Sequence, residues 1–100
     1  MFQPHTYSRT RRLFKKFAKA LCSADIVIIA GIYAAREKPI PGVTSGALAE
    51  AVNMQRGETA AYACLDFKGV SEKIKEFARA GDAVLVLGAG DIEQLKNLLF

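Results

Sequence analysis

A short segment near the N-terminus, FQPHTYSRTR, concentrates side chains that can bind an anion. His5 and Arg9 carry hydrogen-bond donors, and Arg9 falls in the first turn of a predicted helix. A basic side chain at this end opposes the helix dipole and costs about 0.3–1 kcal/mol at an exposed site. Such a locally unfavourable charge often marks a function, although it can also simply point to water. Free N–H groups at a helix start attract anions as well, so the segment predicts a carboxylate or phosphate site.

The other polar residues give weaker signals on their own. His5 is the single histidine, and Cys22 and Cys64 stand far apart in apolar contexts, so no metal site is predicted. We expect both thiols to be reduced and buried. Glu37 has no acidic partner nearby in the sequence, and we assign it no acid–base role.

Two glycines, Gly88 and Gly90, form part of a dinucleotide-type turn in the sequence GAGD. The third glycine of that motif is missing, and a tight turn between a strand and a helix explains the pair equally well. The chain also lacks the G-x-x-x-x-G-K-[ST] loop. We therefore do not expect it to hold a triphosphate by itself.

The elements that position these residues alternate along the chain. The apolar spacing predicts four helices: one over 8–22 capped by Ser8 or Thr10, one from Ser45 to Gly57, one from Ser71 to Gly81, and a last helix near the C-terminus. Between them it predicts three strands: a buried strand over 26–29, a strand in AAYACL and a buried strand in AVLVL. This alternation is typical of the α/β class. We predict a three-layer αβα, Rossmann-like domain with a mostly parallel sheet.

The chain begins with a helix where a doubly wound fold would have a strand. Phe2 has the position of the last residue of such a strand, so we expect the first strand to be truncated at the N-terminus. Ligands of open parallel sheets bind beyond the carboxyl ends of the strands. The segments PHTYSR, GIYAARE and GAGD each follow a predicted strand, and we expect them to share one edge of the sheet.

Composition limits the classes of protein that need to be considered. The 100 residues predict a single domain, 1–100, and the 51% hydrophobic and 24% charged content excludes wholesale disorder. No apolar run is long enough to span a membrane and no signal peptide is evident, so we expect a cytoplasmic protein. The net charge of +4 is concentrated before Cys22. That concentration fits a phosphorylated ligand, nucleic acid or acidic lipid, or merely a solvated helix face.

Four segments, FQPHTYSRTR, IYAAREKPIPG, SGALAEA and VLGAGDI, together resemble the C-terminal domain of the Mur ligases, in the branch that adds L-alanine to UDP-N-acetylmuramate. The order and approximate spacing match over essentially the whole chain. The resemblance implies one part of a cytoplasmic, bacterial, three-domain enzyme of peptidoglycan precursor synthesis. ATP and Mg²⁺ would be held mainly by the N-terminal and central domains, over which this domain closes. By itself the chain would contain no complete catalytic or metal site and would be inactive.

The resemblance also implies roles for individual residues. Substrate-binding positions are His5, Thr6, Arg9 and Tyr33, and positions in loops near the phosphate are Ala34, Ala35, Gly88 and Gly90. Arg9 would pair with the alanine carboxylate or a phosphoryl oxygen. His5 would orient the amino acid or the reaction intermediate.

Three positions depart from the pattern of the relatives. Thr6 stands where many relatives carry arginine, so one cation is missing. Gly31 stands in place of the aspartate, and Arg36 in place of the glycine, of the usual Asp-x-Tyr-Ala-Ala-Gly-Glu. If that glycine has a positive φ, we expect Arg36 to be strained.

The residues alone leave a second hypothesis open, a stand-alone α/β module that binds a phosphorylated ligand or nucleic acid. The basic first helix is its only support, because aromatics and lysines do not alternate as on an RNA-binding sheet. A salt-dependent titration with oligonucleotides separates the two hypotheses. Under the Mur ligase resemblance, neither nucleic acid nor a membrane is an expected partner.

Overall fold

The computed structural model of the protein describes residues 1–88 and 93–99. Its elements are α1 (Tyr7–Leu21), β1 (Val27–Ala30), α2 (Ser45–Arg56), β2 (Ala61–Cys64), α3 (Phe67–Phe77) and α4 (Glu93–Leu99). Strands β1 and β2 pair in parallel, with Val27 opposite Ala61 and Ala30 opposite Cys64. Helix α2 makes the crossover between them. The predicted α/β class is confirmed.

Strand β1 is buried on both faces, as its unbroken apolar run predicts. Val27 and Ile29 pack in one cluster with residues of α1 and α2, namely Ala18, Leu48, Ala49 and Val52. Ile28 and Ala30 pack in a second cluster with residues of α3 and α4, namely Val70, Ile74 and Leu95. Since successive side chains of a strand point to opposite faces, α1 and α2 cover one face of β1, and α3 and α4 cover the other.

Residues 1–3 lie beside β1, where a preceding strand was expected. The Phe2 N–H donates to the Ile28 carbonyl at 2.8 Å, and the Phe2 carbonyl accepts from the Ala30 N–H at 3.0 Å. On the opposite side, the Gln3 N–H donates to the Leu87 carbonyl at 2.9 Å. Phe2 therefore lies between β1 and Leu87, in parallel with both.

The segment 83–87 is not the buried strand that AVLVL predicts. Leu87 forms an isolated bridge to Phe2, and the side chains of Val84 and Leu85 are 47% and 69% exposed. The β-branched pattern is typical of a strand with neighbours on both sides. Residues 1–3 form hydrogen bonds with Leu85 and Leu87, in the second half of segment 83–87.

The residue that caps the N-terminus of α1 is not one of those predicted. Thr6, rather than Ser8 or Thr10, is the N-cap, and its Oγ1 accepts from the Arg9 N–H at 3.2 Å. Thr10 is buried and donates its hydroxyl to the Thr6 carbonyl at 2.6 Å. Thr6 has a φ of 60°, a conformation that β-branched residues rarely adopt, so the sequence did not favour it as a cap.

Helix α2 begins one residue earlier than predicted, because Thr44, not Ser45, is its N-cap and accepts from the Ala47 N–H at 3.0 Å. Ser45 is buried and instead donates its hydroxyl to the Ala30 carbonyl at 2.5 Å. Gly57 ends the helix at a φ of 74°, as predicted. The Ser45 contact ties the start of α2 to the carboxyl end of β1.

Helix α3 begins at Phe67 and ends at Phe77, so the predicted start at Ser71 and end at Gly81 are wrong. Asp66 is the N-cap, and its Oδ1 accepts from the Gly69 N–H at 2.8 Å. A glycine in the first turn weakens helix propensity, which concealed this start in the sequence.

The two cysteines are free thiols, as expected, but each is half-buried rather than fully buried. Cys22 Sγ lies 3.8 Å from the Val52 carbonyl, and burial raises the pKa of the Cys64 thiol. Within residues 1–88 and 93–99, no helix is both long and apolar enough to cross a membrane.

Candidate functional site

Two of the segments predicted to share an edge meet at His5 and Tyr33. The Thr6 N–H donates to the Tyr33 carbonyl at 2.7 Å, and the Tyr33 N–H donates to the Pro4 carbonyl at 2.9 Å. The rings of His5 and Tyr33 stack, with centroids 5.4 Å apart and an interplanar angle of 21°. The structure thus joins His5, Thr6 and Tyr33 into one surface beyond the carboxyl end of β1.

The imidazole of His5 has an unpaired polar atom. Its Nδ1 is buried and has no hydrogen-bond partner among the residues that the structure describes. A buried polar group without a partner costs roughly 1–3 kcal/mol. A ligand that bonds this nitrogen would recover that cost, so His5 fits a binding role.

A cleft of about 520 Å³ opens at the same edge, beyond the carboxyl ends of β1 and β2. Its lining includes Gln3, Tyr33, Ala34, Asp66 and Lys68. Lys68 contributes a cation, whereas the Asp66 carboxylate is already engaged as the cap of α3. A position beyond the carboxyl ends of parallel strands is where α/β folds bind their ligands.

The floor of this cleft requires a glycine at position 31. A Cβ on Gly31 would lie 2.9 Å from the Leu65 carbonyl oxygen, which is closer than real Cβ contacts. The loops that follow β1 and β2 therefore touch at Gly31. Any side chain at position 31 would require the backbone at Leu65 to shift.

Glu37 occupies the N-terminus of α1. Its carboxylate accepts from the Ser8 N–H at 2.9 Å and from the Ser8 hydroxyl at 2.5 Å. The bond from the Ser8 hydroxyl, followed by that from its backbone N–H, lowers the pKa of Glu37. The anion at this helix start is thus supplied by the chain itself, although the sequence analysis assigned no acid–base role to Glu37.

Backbone strain is concentrated at the same edge. The non-glycine residues with positive φ in the described chain are Thr6 at 60°, Ala35 at 48° and Arg36 at 73°. The expected strain at Arg36 is therefore confirmed. Such conformations persist where the surroundings hold them and cluster at functional sites. Here the loop is held on one side by Tyr33 and on the other by Glu37.

The remaining predicted positions are less tightly organised. Arg9 is exposed in the first turn of α1, and Ala35 is exposed whereas Ala34 lines the cleft. Gly88 directly follows Leu87, whose carbonyl accepts from Gln3 at this edge. Gly90 lies outside the described residues.

The basic side chains of the first helix all face solvent; they are Arg9, Arg11, Arg12, Lys15, Lys16 and Lys19. No three His, Cys, Asp or Glu side chains in residues 1–88 and 93–99 form a group that could hold a metal ion. The exposed guanidinium and ammonium groups can form hydrogen bonds and charge pairs with an anion.

Fold and edge together define a small α/β domain with a polar cleft beyond the carboxyl ends of its strands. Comparison of sequences gives the particular relationship. The chain is 43% identical over 99 residues to the UDP-N-acetylmuramate–L-alanine ligase of Syntrophotalea carbinolica. It is 45% identical over 99 residues to the ligase of that name from Synechococcus sp., and 46% over 95 residues to that of Thermobifida fusca.

These matches cover 99%, 99% and 95% of this chain but 21%, 20% and 19% of the relatives. No protein-family model matches the chain. The chain is similar to the C-terminal region of these UDP-N-acetylmuramate–L-alanine ligases and spans about one fifth of their length. The resemblance to the Mur ligases is thereby confirmed.

Proposed function

We propose that this chain is the C-terminal domain of an ATP-dependent ligase that adds L-alanine to UDP-N-acetylmuramate. The observation that carries the proposal is the identity of 43% over 99% of the chain to a ligase of that name. Support from the geometry is the edge at which His5 and Tyr33 stack beside the cleft. Within a bacterial cell the reaction belongs to peptidoglycan precursor synthesis, and we propose a cytoplasmic location.

In this role the exposed guanidinium of Arg9 pairs with the alanine carboxylate or a phosphoryl oxygen. Arginine suits this task because its planar fork matches both groups in a bidentate manner. His5 orients the amino acid or the intermediate through its buried Nδ1. Thr6 and Tyr33 fix the position of His5 by the backbone bond between them.

The reaction forms an amide bond between the alanine amine and the lactyl carboxyl group of the sugar nucleotide, which is activated as an acyl phosphate; inorganic phosphate leaves. ATP and Mg²⁺ supply the phosphoryl group and neutralise its charge when bound. We assign both mainly to the N-terminal and central domains. This chain contributes orientation of the amine and charge neutralisation when the domains close.

An exchange of domains tests this function. The matched C-terminal region of the Thermobifida fusca ligase is replaced by this chain, and formation of the alanyl product is measured. We expect the chimera to add L-alanine, and both the ligase lacking that region and this chain alone to be inactive. Alanine addition by the chain alone, or a folded chimera without it, would contradict the proposal.

A further inference from the structure

The start of α1 and the loop that follows β1 are joined at two places. At the first, the Tyr33 carbonyl accepts from the Thr6 N–H at 2.7 Å. At the second, the Glu37 carboxylate accepts from the Ser8 N–H at 2.9 Å and from the Ser8 hydroxyl at 2.5 Å. We call this second contact, between Glu37 and Ser8, the clamp. The loop is therefore fixed to the start of α1 at both of its ends.

The loop between these two contacts holds two strained residues. Ala35 and Arg36 have φ angles of 48° and 73°, and residues with a side chain keep such angles only where the surrounding structure holds them. The Glu37 N–H also donates to the Ala34 carbonyl at 2.9 Å, which closes a tight turn. Because Tyr33 fixes the loop before the strained pair and Glu37 fixes it after, breaking the clamp would release the strain and let the loop move away from α1.

The backbone N–H groups in the first turn of α1 already have partners in the chain. The Ser8 N–H donates to the Glu37 carboxylate. The Arg9 N–H donates to the Thr6 hydroxyl at 3.2 Å, and the Thr10 N–H donates to the Thr6 carbonyl at 3.1 Å. These amides are therefore not free to bind a reactant anion, although amides at a helix start commonly do so. A side chain must bind the anion at this end of α1, and Arg9 is the basic side chain of the first turn.

The guanidinium of Arg9 depends on the backbone for its position. The side chain is exposed, and no hydrogen bond or ion pair among residues 1–88 and 93–99 involves its guanidinium. Its placement is therefore set by the backbone of the first turn, which the clamp holds at the preceding residue, Ser8. Displacement of a group in an active site by about 1 Å can cost roughly a hundredfold in rate. Loss of the clamp would thus weaken the action of Arg9 without removing any group that touches the reactants.

We propose that Glu37 is a positioning residue for amide-bond formation, because the clamp fixes the start of α1 so that Arg9 meets the anionic reactant. This inference rests on the proposed ligase function and adds to it a residue that does not itself touch the substrates. A carboxylate suits the task because it accepts from both Ser8 donors at once in charge-assisted bonds. An amide in its place would accept more weakly and would bring its own N–H groups close to those donors.

A double-mutant cycle in the Thermobifida fusca chimera tests whether Glu37 acts through Arg9. We expect Glu37→Gln to lower kcat/KM for L-alanine roughly fivefold, because charge-assisted bonds are replaced by weaker ones. In the Arg9→Ala background the same change should cost less than about twofold, since the residue that Glu37 positions is gone. The KM for ATP should keep the parent's value, because ATP is assigned mainly to the other domains. The control is Glu50→Gln, at an exposed carboxylate on α2, which should keep the kinetics of each background.

A second variant keeps the test decisive if the Glu37→Gln chimera does not fold. Ser8→Ala removes the hydroxyl donor of the clamp and leaves the backbone N–H in place, so we expect a loss of roughly threefold that also disappears in the Arg9→Ala background. An equal loss in both backgrounds would overturn the proposal, because it would show a purely structural effect, and so would unchanged kinetics in an active chimera. A parent chimera that folds but does not add L-alanine would instead contradict the ligase function itself.

Discussion

Glu37 supplies the negative charge that α1 lacks in its own first turn. No acidic residue lies in that turn, while Arg9 adds a positive charge to the positive end of the helix dipole. The Glu37 carboxylate offsets both and anchors the loop after β1 through Ser8. One side chain therefore connects the helix start with the loop that carries Tyr33.

Replacing Glu37 tests this anchor through its pH dependence. The folded-state pKa of Glu37 is lowered from its ordinary value of 4.5. Its stabilisation is therefore complete at a pH above 4.5 and is lost as the pH falls through the lowered pKa. Glu37→Gln should unfold at lower urea than the parent at pH 7, and the difference should shrink below pH 4.5.

Glu50→Gln is the matched control, because Glu50 is an exposed carboxylate on α2. It should leave the urea midpoint and its pH dependence unchanged. A Glu37→Gln variant whose deficit is constant from pH 7 to pH 3 would contradict the anchor.

Arg36 carries a backbone cost that glycine would remove. A left-handed conformation costs a residue with a side chain about 1–2 kcal/mol, and glycine avoids this cost. Glycine in turn loses more conformational entropy on folding, which reduces the gain in stability by roughly 0.5–1 kcal/mol. Arg36→Gly should therefore raise the free energy of unfolding by about 0.5–1 kcal/mol, measured by urea denaturation. Lys38→Gly, in the same loop but without positive φ, should instead destabilise the chain; equal effects would show that the φ of Arg36 is not the cause.

At the scale of elements, Asn53 links α2 to the start of β2. Its Oδ1 accepts from the Ala60 and Ala61 N–H groups, each at 2.8 Å, and its Nδ2 donates to the Ala61 carbonyl at 3.1 Å. These bonds hold β2 in its register beside β1.

Asn53→Ala removes three hydrogen bonds, each worth about 0.5–1.5 kcal/mol net. We expect a loss of about 2–4 kcal/mol in the free energy of unfolding, measured by chemical denaturation. Gln55→Ala, an exposed change on the same helix, should cost less than about 0.5 kcal/mol. If Asn53→Ala lowers the free energy of unfolding no more than the control does, these hydrogen bonds do not stabilise the fold.

The sequence predicted helices and strands well where apolar residues recur with a regular period. Strand β1 and helix α2 lie within a residue of their predicted bounds, because buried apolar runs and a terminal glycine such as Gly57 are local signals. The wrong predictions concern segments whose structure depends on residues far away in the sequence. Nothing near residues 83–87 indicates that only residues 1–3 lie beside them, and the partner of Ser8 is 29 residues away.

The candidate site was predicted in the same partial way. Because ligands bind beyond the carboxyl ends of parallel strands, we predicted that the segments of His5 and Tyr33 share one edge of the sheet. In the structure these two residues form a parallel β-bridge. The cap at Thr6 and the anchor at Glu37 depend on unusual backbone angles and on a loop conformation, which residue types do not reveal. These two features now give the site its local geometry.

At the scale of the whole molecule, the two ends of the sheet differ in character. Beyond the carboxyl ends of the strands lies the polar cleft beside His5 and Tyr33, and at the other end lies a cavity of about 360 Å³ lined mostly by apolar residues. In a ligase of the relatives' length, we infer that the cleft faces the other domains, completes a site shared with them and binds the anionic reactants.

The kinetics of Arg9→Ala in the Thermobifida fusca chimera test this binding, with Arg12→Ala, an exposed position on the same helix, as the control. We expect Arg9→Ala to raise the KM for L-alanine and to lower kcat, for a combined loss of roughly tenfold or more in kcat/KM. Arg12→Ala should retain the parent's values. Unchanged kinetics in Arg9→Ala, or an equal loss in both variants, would show that Arg9 does not bind the reactants at this edge.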